Sequence, residues 1–268
     1  MKIGVMVESF RLPFAEGCKK AASVGAQGIQ AYATGGELAP ENMTADKIRE
    51  ILDIVRSNGL VFSALCGDFG HGFENAETNK IYVEKSKRVL DLAKKLECDV
   101  VTTHIGTVPV EENEKKAVMR AACRELALYG DSIGASFAVE TGPEPGPVLY
   151  DFLESLGAGG VRVNFDPANL VMCSGDDPAY SAKVLGKYIV HTHAKDGVML
   201  RNDDGSFRSY LELPLGRGDV RFNTYLPALA STGYDGFLTI EREVGDTPED
   251  DIRMAADFLR EKLAEFGI

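Results

Sequence analysis

A (β/α)8 TIM barrel, an α/β fold occupying residues 1–268 as one domain, is the architecture the sequence predicts. Three observations predict it. Short β-rich runs alternate with longer stretches of helical period, Gly or polar turn residues punctuate nearly every switch, and the alternation occurs eight times. Spread over the chain, each unit takes about 33 residues, the size of a closed eight-unit barrel whose parallel strands are joined by right-handed crossovers. An open doubly wound sheet would bind a dinucleotide through a Gly-rich first turn, but here that turn reads Glu8-Ser-Phe-Arg-Leu-Pro13.

The strands are expected at residues 2–8, 28–33, 61–67, 99–105, 136–141, 161–166, 188–195 and 236–242. Helices fill the gaps between them. Thr44 precedes one helix as an N-cap and Asn58-Gly59 closes it, while Pro248-Glu-Asp-Asp opens the last with acids at its positive end. The longest irregular stretch, residues 197–220, is too short for a domain and reads as an active-site loop.

Composition narrows the function classes. With 44% apolar and 26% charged residues the chain has ordinary globular proportions, and its size supports a core without disulfide staples. Its 29 Lys plus Arg against 41 Asp plus Glu give a net charge of −12, which argues against nucleic acid and anionic membrane surfaces as partners. No apolar run reaches the length of a membrane span, and Glu8 interrupts the start before a signal-peptide core can form, so a cytoplasmic location is expected. The five cysteines, Cys18, Cys66, Cys98, Cys123 and Cys173, include no CxxC pair and read as reduced thiols.

In such a barrel the chemistry stands at the C-terminal ends of the strands. Those ends carry Glu8, His104, Glu140, Asp166, the run His191, His193 and Lys195, and Glu241, which includes three of the four histidines in the chain. Alternation along a strand sends successive side chains to opposite faces. Ala138, Asn164 and Thr239 share the phase of Glu140, Asp166 and Glu241, whereas Phe137, Val139, Val163, Phe165, Leu238 and Ile240 take the opposite phase and should pack under the helices. The carboxylates therefore point into the mouth. Acids converging without a neutralising partner resist ionisation, so a divalent cation is the economical answer. Glu140, Asp166, His193 and Glu241 supply three carboxylates and one imidazole, an oxygen-rich set suited to Mn²⁺ first, then Mg²⁺ or Co²⁺, with Zn²⁺ also compatible. His104 is equally readable as a substrate contact or a structural residue, His191 as structural, and Lys195 as a partner of Asp196 or of a ligand carboxylate.

The pattern Val139-Glu140-Thr-Gly, Asn164-Phe-Asp166-Pro-Ala-Asn169-Leu, His191-Thr-His193-Ala-Lys195-Asp196, Leu215-Gly-Arg-Gly218-Asp and Thr239-Ile-Glu241-Arg-Glu resembles the sugar phosphate isomerase/epimerase family, the xylose isomerase-like barrels. The resemblance covers essentially the whole chain. It implies one divalent metal on Glu140, Asp166, His193 and Glu241, with a sugar or sugar phosphate as substrate. It further implies that Glu140 and Glu241 remove and return the proton beside the carbonyl through a metal-stabilised cis-enediolate. Glu8, His104, Asn169, Lys195 and Arg217 are the expected substrate contacts, Arg217 with help from the backbone amides of its Gly-rich turn.

One departure is visible: many such epimerases carry Asp-x-x-His where this chain has Asp166-Pro-Ala-Asn169, and Asn cannot titrate. The departure leans toward other sugars or toward an inosose dehydratase-type lyase. Relatives are often dimers or tetramers, so a homo-oligomer is allowed. A non-catalytic sugar-binding barrel is the reading from another class. An abasic-site endonuclease is disfavoured by the acidic charge and by the lack of a second Asp-x-His after the seventh strand.

Overall fold

Eight parallel strands close on themselves in the computed structural model, which describes residues 1–268. In chain order the first seven are β1 (Lys2–Met6), β2 (Gly28–Tyr32), β3 (Val61–Cys66), β4 (Val100–Thr103), β5 (Ser136–Glu140), β6 (Val161–Phe165) and β7 (Ile189–Ala194). A hairpin of β8 (Asp196–Arg201) and β9 (Phe207–Leu213) follows, and β10 (Phe237–Ile240) closes the ring between β7 and β1. Every expected strand is present, and each barrel strand is a little shorter than its sequence pattern.

The outer ring comprises α1 (Phe14–Ser23), α2 (Ala45–Ser57), α3 (Ala76–Lys95), α4 (Glu114–Ile133), α5 (Gly146–Leu156), the single turn α6 (Pro167–Asn169), α7 (Pro178–Leu185), α8 (Phe222–Ala230) and α9 (Pro248–Phe266). Helix starts follow the local chemistry. The Thr44 hydroxyl accepts from the Lys47 amide at 3.2 Å, and Pro248 occupies the first turn of α9 beside Glu249, Asp250 and Asp251.

Strand phase divides the core as alternation requires. Phe137, Val139, Val163, Phe165, Leu238 and Ile240 are buried between sheet and helices, with Phe165 stacked on Tyr225 of α8 at 5.5 Å and Phe137 edge-on to Phe73 at 6.0 Å. The opposite phase fills the barrel with polar groups. Below the mouth, His191 Nε2 lies 2.8 Å from Thr239 Oγ1 and 3.3 Å from Ser63 Oγ, while its Nδ1 meets Asn164 Oδ1 at 2.8 Å. Gly4 makes room for this layer, since a Cβ there would sit 2.7 Å from Thr239 Oγ1. Burial, and then the neighbouring His193, push the His191 imidazole well below its ordinary value, so it is a neutral structural group.

Residues 197–220 correct the expectation of one irregular loop. β8 and β9 pair antiparallel from Asp196 opposite Leu213 to Arg201 opposite Phe207, turning through Asn202-Asp-Asp-Gly205-Ser. The Asp-Gly turn was the available hairpin signal; the flanking runs hid it because their residues are mostly half-buried or exposed on both faces. At the hairpin base the Asp196 carboxylate accepts from the amides of Gly197 (2.8 Å), Gly216 (2.9 Å), Gly218 (2.9 Å) and Val220 (3.1 Å). Gly218 is demanded there, because a Cβ would lie 2.2 Å from Asp196 Oδ1.

Candidate metal centre and active site

Strand ends β5, β6, β7 and β10 bring Glu140, Asp166, His193 and Glu241 together, each offering a ligand atom within 4.8 Å of the others, all four buried. Their positions are fixed by specific contacts. Asp166 caps the α6 turn, its Oδ1 accepting from Ala168 N (2.7 Å) and Asn169 N (3.0 Å), while its backbone amide donates to Thr141 Oγ1 at 2.8 Å. Glu140 Oε1 accepts from Asn169 Nδ2 at 2.7 Å and its Oε2 from Asn164 Nδ2 at 3.0 Å. Glu241 Oε2 accepts from Lys195 Nζ at 2.9 Å.

His193 decides whether these residues suit a cation. Its Nε2 lies 3.1 Å from Gln30 Oε1, and Gln30 spends its own amide on Thr102 Oγ1 at 3.0 Å, so the network assigns the ring proton to Nε2. The Nδ1 lone pair then faces Glu241 at 3.4 Å, Glu140 at 3.5 Å and Asp166 at 3.6 Å. His193 Nδ1 and Asp166 Oδ2 are buried with no hydrogen-bond partner. Two unsatisfied lone-pair atoms facing each other in a dry site are costly for a protein alone and natural for ligands of one ion. The four residues fit a divalent cation.

The electrostatics agree. With no cation to accept the Nδ1 lone pair, a proton takes its place: burial works against a charged His193, but the Glu241 and Glu140 carboxylates outweigh it and hold the imidazole well above its ordinary value. Burial would raise Glu140, yet the imidazoles of His104 and His193 hold it well below the carboxylate range. Burial dominates at Glu241 and lifts it, against the pull of His193 and Lys195. The cluster draws positive charge from every neighbour that can supply it.

The remaining expected site residues divide. His104 stands half-exposed at the mouth, its Nδ1 2.7 Å from Asp68 Oδ2 and its Nε2 3.4 Å from Glu140 Oε1. Asn169 braces Glu140, and Lys195 bridges Glu241 and Glu243, the latter at 3.1 Å, rather than Asp196. Glu8 accepts from the Tyr32 amide at 2.9 Å through Oε1, while its Oε2 is buried without a partner and burial raises its carboxyl. Arg217 is exposed and its side chain touches none of these groups. The amides of its turn are already taken by Asp196. Sequence reasoning missed Gln30, Asp68, Asn164 as a brace, and Glu243; only the inward phase of Asn164 gave a readable signal.

The model of the xylose isomerase-like TIM barrel family matches residues 18–262. The chain belongs to that family. Among solved structures of the xylose isomerase-like fold, a xylose isomerase domain protein from Planctomyces limnophilus is 24% identical with a TM-score of 0.85, covering 98% of this chain and 97% of its own. The probable 3-DHS dehydratase AsbF from Bacillus anthracis is 18% identical with a TM-score of 0.77, covering 97% and 99%. D-psicose 3-epimerase from Clostridium cellulolyticum H10, solved with D-tagatose, is 17% identical with a TM-score of 0.75, covering 98% and 99%. The xylose isomerase-like barrel is thus shared by an epimerase and a probable dehydratase, and no helix of this member is long and apolar enough to cross a membrane.

Proposed function

We propose that this protein is a divalent-metal-dependent sugar isomerase or epimerase that moves a proton next to a carbonyl. One observation carries the reading: Glu140, Asp166, His193 and Glu241 converge at the mouth with the inward atoms of His193 and Asp166 unpartnered. Glu140, Asp166, His193 and Glu241 would hold the ion, which supplies Lewis-acid polarisation of the substrate carbonyl when bound. Mn²⁺ is the expected ion.

Glu140 and Glu241 also serve as proton carriers. They stand at the C-terminal ends of β5 and β10, separated round the ring by β6 and β7, and so reach a bound sugar from two sides. Their surroundings differ, Glu140 being braced by the Asn164 and Asn169 amides and Glu241 by the Lys195 ammonium. Lys195 orients Glu241, and Asn169 with Asn164 orients Glu140, so neither carboxylate spends its reach on a loose rotamer.

A dehydratase is the second reading, and the His104–Asp68 pair favours it. The Glu140 and Asp68 carboxylates push His104 well above its usual value, placing a proton donor at the mouth where a leaving hydroxyl would need one. The dehydratase neighbour shows only that the xylose isomerase-like fold can host such chemistry.

The test is NMR of ketoses and an inosose incubated in D₂O with Mn²⁺-loaded protein beside a chelator-treated control. Metal-dependent deuterium entry beside the carbonyl is expected, and the product separates epimerase, isomerase and dehydratase. No exchange in any of them would reject enolisation as the reaction.

A further inference from the structure

We infer that the molecule turned over at this site is an uncharged polyhydroxy carbonyl compound, neither phosphorylated nor carboxylated; this rests on the enolising function proposed above and specifies its substrate class.

The argument starts from charge. The three carboxylates of the cluster would be balanced by a divalent ion together with the Lys195 ammonium. Around them stand three more carboxylates: Asp68 faces His104, Glu243 has to share the Lys195 ammonium with Glu241, and Glu8 meets only the Tyr32 amide. The wall remains acidic after the ion is counted. A phosphate or carboxylate brought into that mouth is repelled across a poorly screened distance.

The hydrogen-bonding inventory points the same way. An anion brings only acceptors and needs donors, but Lys195, Arg11, Arg242 and Lys115 are already committed. Lys195 Nζ is held by Glu241 and Glu243, Arg11 donates to the carbonyls of Gly245 and Glu243, and Arg242 is locked between Glu212 and Asp251. Lys115 pairs with Glu74. Arg201 donates to the Gly205 carbonyl within the hairpin, and Arg217 is exposed on its turn. What the mouth offers instead is unspent acceptor capacity, including the buried, unpartnered Glu8 Oε2. Sugar hydroxyls are the donors that would satisfy it, and each buried acceptor so paired discriminates against an analogue that cannot donate.

Two measurements on Mn²⁺-loaded protein test this. Sorbitol and sorbitol 6-phosphate, which cannot enolise, are titrated by calorimetry at low and high salt. D-fructose and D-fructose 6-phosphate are followed for deuterium entry in D₂O. Sorbitol should bind on the order of tenfold or more tighter than its phosphate, with a gap that narrows as salt rises, and exchange should favour free fructose in kcat/KM by a similar factor. Glu243→Gln should narrow both ratios. Equal or tighter binding of the phosphate, with exchange preserved, overturns the inference and leaves the enolisation reading standing. Deuterium entering neither sugar removes that reading and this inference with it.

Discussion

Glu140, Asp166, His193 and Glu241 come from β5, β6, β7 and β10, whereas Gln30, Ser63, Asp68 and His104 come from β2, β3 and β4 or the residues just after them. The two halves of the ring do different work. The later half presents the atoms that can hold an ion and braces its own carboxylates through Asn164, Asn169 and Lys195; the earlier half orients the imidazoles. Gln30 assigns the His193 tautomer from across the barrel, Ser63 shares in holding His191 beneath the cluster, and Asp68 holds His104 against Glu140. A centre built this way cannot be assigned to either half alone, because the ligands' geometry is set by residues that never touch the ion.

The largest expected effect lies in the later half. Glu241→Gln should lower turnover by roughly 10²–10⁴-fold with circular dichroism unchanged, as loss of a proton carrier does. Asp166→Ala should abolish stoichiometric metal, read by elemental analysis; retained metal would break the division of labour at its root.

Glu144 sharpens the comparison where the halves meet, since its carboxylate accepts from the Val108 amide at 3.3 Å, linking the loops after β4 and β5. Burial pushes this carboxyl up to about 7, so the folded chain keeps a proton that the unfolded chain releases near 4.5. Stability is therefore lost as pH rises between those values and the full cost stands above about 7. Glu144→Gln should stabilise on the order of 3 kcal/mol at pH 8 and by almost nothing at pH 4, by denaturant melts at both pH values.

Smaller again is Gln30→Met, which removes the acceptor for His193 Nε2. Metal affinity should fall by roughly 10–100-fold in calorimetry, the effect of losing a group that orients a ligand. An unchanged affinity would show the earlier half to be passive. At the bottom stands the exposed Lys80–Glu77 pair at 2.8 Å on α3, where Glu77→Gln should shift stability by about 0.5 kcal/mol or less.

The same division explains what the sequence could show. Strand alternation put Glu140, Asp166 and Glu241 on one inner face, and His193 joined them by residue type, because acids and histidines at strand ends advertise themselves. Gln30 and Ser63 carry no such mark: a Gln in a strand acquires meaning only from the His193 nitrogen opposite it, contributed by a strand remote in sequence. Asp68 and His104 sit on separate loops, so their pairing was equally hidden. The hairpin was hidden for another reason, since β8 and β9 pair only with each other and no buried face imposes an alternating pattern on them. Arg217 illustrates the reverse: a cation in a Gly-rich turn has the composition of an anion site, but Asp196 is the anion that the turn already holds.

That carboxylate has an evolutionary consequence. By tying the start of the hairpin to the turn that follows it, Asp196 seals the base as a drawstring closes a bag, so the tip of the hairpin, residues 199–210, can lengthen, shorten or change composition while Glu212 keeps its hold on Arg242 and the Glu243 amide beside Lys195. Substrate preference could then diversify at the rim by exchanging that segment, while the catalytic strands beneath it stay as they are.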